Sequence, residues 1–272
     1  MIPPIHLAIC IMVLSSSHSS IPLLDSLENL KETLKENPDN REIHFRLAEI
    51  YLEQREYEKA QKHLRTTLSL NGSGEEEILF VLGRIALKDK KYEEALNYLQ
   101  TAESQKKGKG KIQEYPFLLG YCSENLSRWE EAIGYYGQSL ETLLDDYARF
   151  HIGQVLEEME WTEEAIAVYN TLIHRYPESI HFSTALREIP RLIEKEKKWE
   201  EAIAKREEIL HGIRNKEFGM DNSKLRMMEA EMMTGIAKGL LQLGKNKDGQ
   251  KIYWRWSEAS HPLLMLWRRF KY

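Results

Sequence analysis

From residue 41 onward the chain repeats one pattern of apolar and polar positions. Apolar residues recur every three or four places over stretches of about a dozen residues, the spacing of a helix that buries one face. Leu47, Ala48 and Tyr51 mark one stretch, and Ala60, Leu64 and Leu68 mark the next. Small residues return at matching places: Ala48, Gly83, Gly120 and Gly153 in first stretches, Ala60, Ala95, Ala132 and Ala165 in second ones. A phrase of aromatic, acidic, any residue and alanine opens the second stretches: Tyr57-Glu58-Lys59-Ala60, Tyr92-Glu93-Glu94-Ala95, Trp129-Glu130-Glu131-Ala132 and Trp199-Glu200-Glu201-Ala202. Trp161-Thr162-Glu163-Glu164-Ala165 is a variant with the aromatic one place earlier. The alanines 60, 95, 132, 165 and 202 stand 35, 37, 33 and 37 residues apart. A period in this range, with two helical stretches in each, predicts a solenoid of helix pairs. The small residues fall where two helices of a pair cross closely, because a longer side chain there would push the axes apart. Tyrosines, tryptophans and leucines fill the space between pairs.

In chain order, Leu23 to Asn37 reads as one helix stopped by Asn37-Pro38-Asp39-Asn40, since proline cannot continue the hydrogen-bond ladder. This is a half unit over residues 21–40. Full pairs start near Arg41, Glu76, Gln113 and Asp146. Asn71-Gly72-Ser73-Gly74 ends the first, and Tyr176-Pro177 ends the fourth. In the fifth pair Pro190 takes the small position, which predicts a bend or a break between Phe182 and Ile193. In the sixth the small position is Gly249, 47 residues after Ala202. The extra length predicts a loop around Phe218-Gly219-Met220-Asp221-Asn222 and then one long helix, Ser223 to Leu243, with Leu225, Met228, Met232, Ile236 and Leu240 as its apolar stripe. Leu263 to Tyr272 reads as a short capping helix.

The order of a large residue, Leu-Gly or Leu-Ala, tyrosine, alanine, an aromatic and proline resembles the tetratricopeptide repeat family over roughly Arg41 to Pro262. The resemblance implies an all-α, right-handed superhelical solenoid of antiparallel helix pairs. It would hold about six repeats, an N-terminal half unit and a C-terminal cap. It also implies a concave groove lined by the first helices. Counted from the starts above, the fifth positions are Phe45, Phe80, Phe117 and Phe150, and the ninth are Glu49, Arg84, Tyr121 and Gln154. Arg187 and Arg191 occupy the corresponding helix of the fifth pair. In this family such positions commonly face the groove, and one peptide-binding version places Lys and Asn there to hold a C-terminal carboxylate. Phenylalanine at the fifth position departs from that version, so the clamp is not carried over. The four rings are either an aromatic ladder along the groove or packing between helices, and both readings stay open.

Composition narrows the chemistry. The chain has 272 residues, 42% hydrophobic and 30% charged, an ordinary balance for a water-soluble protein. A net charge of −5, with Glu42, Glu49, Glu77 and Glu114 on first helices, argues against nucleic acid as the main partner. There is no glycine-rich phosphate loop, no Cys-x-x-Cys and no His-Glu-x-x-His, and the nine histidines are scattered. No catalytic residue, cofactor, metal or small-molecule ligand is therefore expected. Cys122 reads as buried filler. The Glu-Glu pairs open second helices, where negative charge complements the helix dipole.

Three stretches stand apart. Ile5 to Leu14 is apolar but for His6 and precedes Ser15-Ser16-Ser17-His18-Ser19-Ser20. Residues 1–20 are a candidate signal peptide, without Lys or Arg in its first part, or a tail; export and a cytoplasmic location both stay open. Lys106-Lys107-Gly108-Lys109-Gly110-Lys111 reads as a solvated connection. Trp267-Arg268-Arg269-Phe270-Lys271-Tyr272 suits either a cap or a membrane surface, so membrane contact is expected only there or through the N-terminal segment. The expected function is a non-enzymatic adaptor that binds a protein or peptide partner in the groove. The alternative is an RNA-binding helical-repeat protein.

Overall fold

The computed structural model describes residues 27–70, 72, 74–105, 114–215, 217–219, 222–249 and 251–252. The candidate signal peptide, the Lys106–Lys111 run, the Trp267 tail and the expected C-terminal cap lie outside these residues. Within them all regular structure is helical, and it divides into two compact units, Met1–Leu144 and Asp145–Tyr272.

Unit 1 holds α1 (Leu27–Glu36), α2 (Arg41–Glu53), α3 (Tyr57–Ser69), α4 (Glu75–Lys88), α5 (Tyr92–Ser104), α6 (Tyr115–Asn125) and α7 (Trp129–Gln138). Unit 2 holds α8 (Asp145–Glu158), α9 (Thr162–Arg175), α10 (Phe182–Lys195), α11 (Trp199–Arg214) and α12 (Asn222–Gln242). The pairs α2–α3, α4–α5, α6–α7, α8–α9 and α10–α11 are hairpins joined by three-residue connections, which bring antiparallel neighbours together. The Glu-Glu pairs sit in the first turns of α5, α7, α9 and α11.

All five hairpins turn in the same way. Arg55, Lys90, Ser127, Glu160 and Lys197 each adopt a left-handed backbone, with φ of 60°, 59°, 56°, 60° and 61°. The next amide donates back to a carbonyl five residues earlier: Glu56 to Tyr51, Lys91 to Ala86, Arg128 to Ser123, Trp161 to Leu156 and Lys198 to Ile193. This is the Schellman ending, which satisfies carbonyls that a helix end leaves free. Gly244 repeats it after α12, with φ 73° and Lys245 donating to Leu240. Only that last copy uses glycine, the residue this conformation favours.

The close crossings fall where the small residues predict them. A Cβ built on Gly83 would lie 2.8 Å from Leu99, one on Gly120 2.7 Å from Tyr136, and one on Gly153 2.5 Å from Tyr169. Beyond α12, a Cβ on Gly249 would lie 2.9 Å from the Ala237 carbonyl, so the sixth small position is real although its second helix is described only to residue 252. Ala60, Ala95, Ala132, Ala165 and Ala202 have no exposed surface. The long α12 and its buried stripe of Leu225, Met228, Met232 and Ile236 also agree with the pattern. In the loop before it, Phe218 lies edge-on to Phe182 and fills the space beside Gly212.

Of the bend or break expected at Pro190, the break is absent: α10 runs from Phe182 to Lys195 with Pro190 buried inside it. Proline removes one amide donor from the ladder. Packing of Ile189, Leu192 and Ile193, all buried, holds the helix through that gap.

One internal pairing follows the repeat without appearing in the apolar pattern. Three residues before the left-handed turn residue, each first helix carries a residue whose counterpart stands twelve residues later on the second helix. In the first two pairs both of these positions hold buried leucines, Leu52 and Leu64, then Leu87 and Leu99. In the next two the Tyr136 hydroxyl donates to Glu124, and the Tyr169 hydroxyl donates to Glu157 over 2.7 Å. In the fifth the Arg206 guanidinium donates to Glu194 over 2.7 Å. Burial, then the facing carboxylate, raises the tyrosine hydroxyl pKa values, so both rings stay neutral donors.

Candidate partner-binding face

The expected site residues separate into a buried set and a surface set. Phe45, Phe80, Phe117 and Phe150 are 5%, 0%, 0% and 8% exposed, so the structure sets these rings in the interior and not along an open ladder. The reason is the seam between successive hairpins. Phe80 meets Tyr115, at the start of the next first helix, edge-on with centroids 5.1 Å apart. Phe150 stacks on His181, just before α10, at 4.1 Å and 15°. Phe117 tilts against Tyr136 of its own hairpin at 5.4 Å. A ring in such a seam gains more from burial than a partner's side chain could offer it at the surface.

Of the ninth positions, Arg84 and Glu49 are largely buried, Tyr121 is half-buried and Gln154 is exposed, while Arg187 and Arg191 keep part of their surface. In unit 1, Arg46 of α2 pairs with Glu42 at 3.4 Å and with Glu49 at 3.0 Å. Arg84 of α4 lies over the Phe80 ring at 5.7 Å and reaches Glu114, which precedes α6, at 3.5 Å. Burial raises the carboxyl pKa values of Glu49 and Glu114 against the opposing pull of Arg46 and Arg84. Tyr121 of α6 is half-buried, edge-on to Tyr92 at 6.3 Å.

In unit 2 the corresponding residues are more open and carry two sets of ion pairs. Gln154 of α8 is exposed. Arg191 of α10 bridges Glu157 of α8 and Glu188 of its own helix. Arg187 donates to Glu231 of α12 over 3.4 Å. The Arg191 and Arg187 side chains keep 51% and 38% of their surface exposed. Glu157, Glu188 and Glu231 were not singled out by the sequence. The spacing that signals Glu157, twelve residues before Tyr169, is nonetheless present in it.

Cys122 is fully buried, and burial pushes its thiol up to about 12, so it is no nucleophile at neutral pH.

Hairpins of like geometry, repeated within each unit, define a helical-repeat protein of the kind that presents surfaces to other macromolecules. Family models described as tetratricopeptide repeat match residues 24–72, 50–110, 80–147 and 147–179. The matches together run from residue 24 to 179, more than half of the 272-residue chain, and the chain belongs to the tetratricopeptide repeat family. It is similar in fold to the C-terminal part of a TPR repeat-containing protein from Cytophaga hutchinsonii, at 15% identity and a TM-score of 0.66 over 94% of this chain and 96% of that one. It is likewise similar to YrrB, described as a TPR protein with an unusual peptide-binding site, at 17% identity and a TM-score of 0.53 over 74% of this chain and 97% of that one. No curated protein matches the chain in sequence. The tetratricopeptide fold supports a role in protein–protein interaction, and repeat proteins of this family are generally non-enzymatic scaffolds.

Proposed function

We propose that the chain is a non-enzymatic adaptor whose first-helix face in unit 2 binds an acidic segment of a protein partner. The observation that carries this reading is the line of Gln154, Arg191 and Arg187 from α8 to α10 towards α12, with both guanidinium groups half-exposed. Exposed ion pairs contribute about 0–1 kcal/mol to stability, so Glu188 and Glu231 hold the arginines in place at little consequence for the fold, while Glu157 also accepts from the buried Tyr169. A partner carboxylate competes for the same fork-shaped donors and gains a bidentate contact.

The test is affinity capture with cross-linking from the native host, using the full chain and Arg187→Ala/Arg191→Ala side by side. The double variant is expected to melt within a few degrees of the parent, to lose the captured protein, and to leave no protein cross-linked at α10. Equal capture by both chains refutes the reading. Capture of nucleic acid whose binding falls steeply with salt would favour the RNA-binding alternative.

A further inference from the structure

At the front of unit 1, away from the first-helix face, two imidazoles meet nitrogen to nitrogen. His44 Nδ1 of α2 lies 2.9 Å from His63 Nδ1 of α3. The other ring nitrogen of His44, Nε2, lies 2.9 Å from the Pro38 carbonyl oxygen in the α1–α2 connection. A carbonyl can only accept, so Nε2 carries hydrogen. With His44 neutral its Nδ1 is then the acceptor, and His63 Nδ1 donates to it. A first added proton goes to His63 Nε2 and leaves that hydrogen bond in place, but it creates a cation in a half-buried setting. A second proton, on His44 Nδ1, sets two N–H groups head-on at a distance where only one hydrogen fits. The contact must then open.

We propose that the His44–His63 pair is an acid-released latch, which ties the Pro38 connection, and with it α1, to the first hairpin at neutral pH and lets go on acidification. The surroundings oppose a charge on the His63 ring. His63 stacks on Tyr51 of α2 with centroids 5.6 Å apart and an 18° angle. The same Tyr51 ring carries Lys31 of α1 at 5.7 Å and Lys59 of α3 at 5.3 Å. Burial first, then His44, Lys62 and Lys31, lowers the His63 pKa to about 4. In the released state the ring takes a proton near its ordinary value of about 6.5. The closed state is therefore fully favoured above about pH 6.5, and it loses ground as pH falls from there towards 4. For one proton the loss is about tenfold per pH unit.

Release has a defined consequence. The ten residues of α1 are too few for a helix to persist alone in water. The helix is held by Leu30 in the unit 1 core, with Leu27 and Leu34 packed against the same cluster of Ile43, Leu47 and Ala48. Freeing α1 would uncover that apolar surface of α2 only under acidic conditions.

The test uses the full chain. The imidazole C–H signals are followed by NMR from pH 7.5 to 4.5, with His63 assigned through His63→Phe. Hydrogen exchange of α1 and α2 amides, corrected for intrinsic rates, is followed over the same range. Expected are a His63 midpoint well below 6.5 and α1 protection that falls about tenfold per pH unit below that value. In His63→Phe, whose ring still stacks on Tyr51, the protection should no longer depend on pH. A His63 midpoint at or above 6.5 in the parent chain overturns the latch even if the variant folds poorly. So does α1 protection that falls equally in both chains.

Discussion

Two glycines in the third hairpin should respond to the same substitution with opposite signs. A methyl group placed on Gly120 would lie 2.7 Å and 2.8 Å from two carbons of the Tyr136 ring, whereas ordinary contact begins at 3.4 Å. The ring must retreat by about 0.7 Å. It has nowhere to go: Tyr136 has no exposed surface, its face meets Phe117, and its hydroxyl is tied to Glu124. Overpacking of this kind costs ~1–3 kcal/mol. A strained bond to a charged acceptor adds a share of its ~1.5–3 kcal/mol. The gain in helix propensity returns about 1 kcal/mol. Gly120→Ala should therefore destabilise by ~1–3 kcal/mol. Gly134 has nothing within 4 Å of its hypothetical Cβ, so Gly134→Ala keeps the propensity gain of about 1 kcal/mol and stabilises. The first hairpin suggests a repair, because there Ala48 coexists with Leu52 and Leu64 at the equivalent places. Adding Glu124→Leu and Tyr136→Leu to Gly120→Ala should recover at least half of the loss. Urea denaturation followed by circular dichroism, with hydrogen exchange to localise the effect to unit 1, reads all three. If Gly120→Ala proves as benign as Gly134→Ala, or if the triple variant is no better than the single, the crossing geometry is misassigned.

Further outcomes follow from the same packing. Phe117→Ala removes a fully buried ring and should cost about 3–5 kcal/mol, seen as a lowered melting temperature; little change would return the ring to the surface. In unit 2 burial, then His151, lowers the His181 pKa to about 4 while Asp146 opposes the shift, and Tyr147 and Phe150 cover the ring. Its unfolded value near 6.5 lies higher, so unit 2 should lose up to ~1.4 kcal/mol per pH unit as pH falls from about 6.5 to 4. His181→Phe, compared with the parent by urea denaturation at pH 7 and pH 5, should remove that dependence; an unchanged pH response refutes it. Lys90 holds a left-handed backbone with an exposed side chain, so Lys90→Gly should stabilise by up to ~1 kcal/mol in a thermal melt, whereas destabilisation would mean the side chain matters at the turn.

The repeat was legible in the sequence because its strongest signal, a small residue at each crossing, obeys a simple steric rule. Gly83, Gly120, Gly153 and Gly249 all lie where that rule places them. The site was less legible, because position along a helix does not fix depth. Phe80 and Arg84 are one turn apart on α4, yet one ring is fully buried and the other side chain reaches across to Glu114. What decides is the following hairpin, whose Tyr115 closes over Phe80. Pro190 predicted a bend or a break, and the break is absent for a related reason. Local propensity predicts a break, and the buried residues on both sides of it override that preference. The left-handed turns left no glycine signature, since Arg, Lys, Ser, Glu and Lys occupy them.

The contact across each hairpin grows more polar along the chain, from leucine pairs to tyrosine–glutamate and then arginine–glutamate, and energetics alone do not favour that order. Arg206 is 7% exposed, its guanidinium lies against Gly235, and Glu194 also faces Lys238 at 3.9 Å. Desolvating two charges can cost as much as their attraction returns, so a well-packed apolar pair would hold α10 to α11 as firmly. What the ion pair adds is exclusiveness. Arg206 set against a leucine would be a buried charge without Glu194, so α11 cannot settle on the wrong first helix without a penalty of several kcal/mol. On this view Glu194→Leu alone, which strands Arg206, should destabilise unit 2 by ~3–5 kcal/mol. Glu194→Leu with Arg206→Leu recreates the Leu52–Leu64 pairing and should lie within about 1 kcal/mol of the parent, or above it. The double-mutant cycle read from urea denaturation of unit 2 would then show strong coupling. Two single losses that simply add would mean that the pair carries no register information and that Arg206 is held by packing against Gly235 alone.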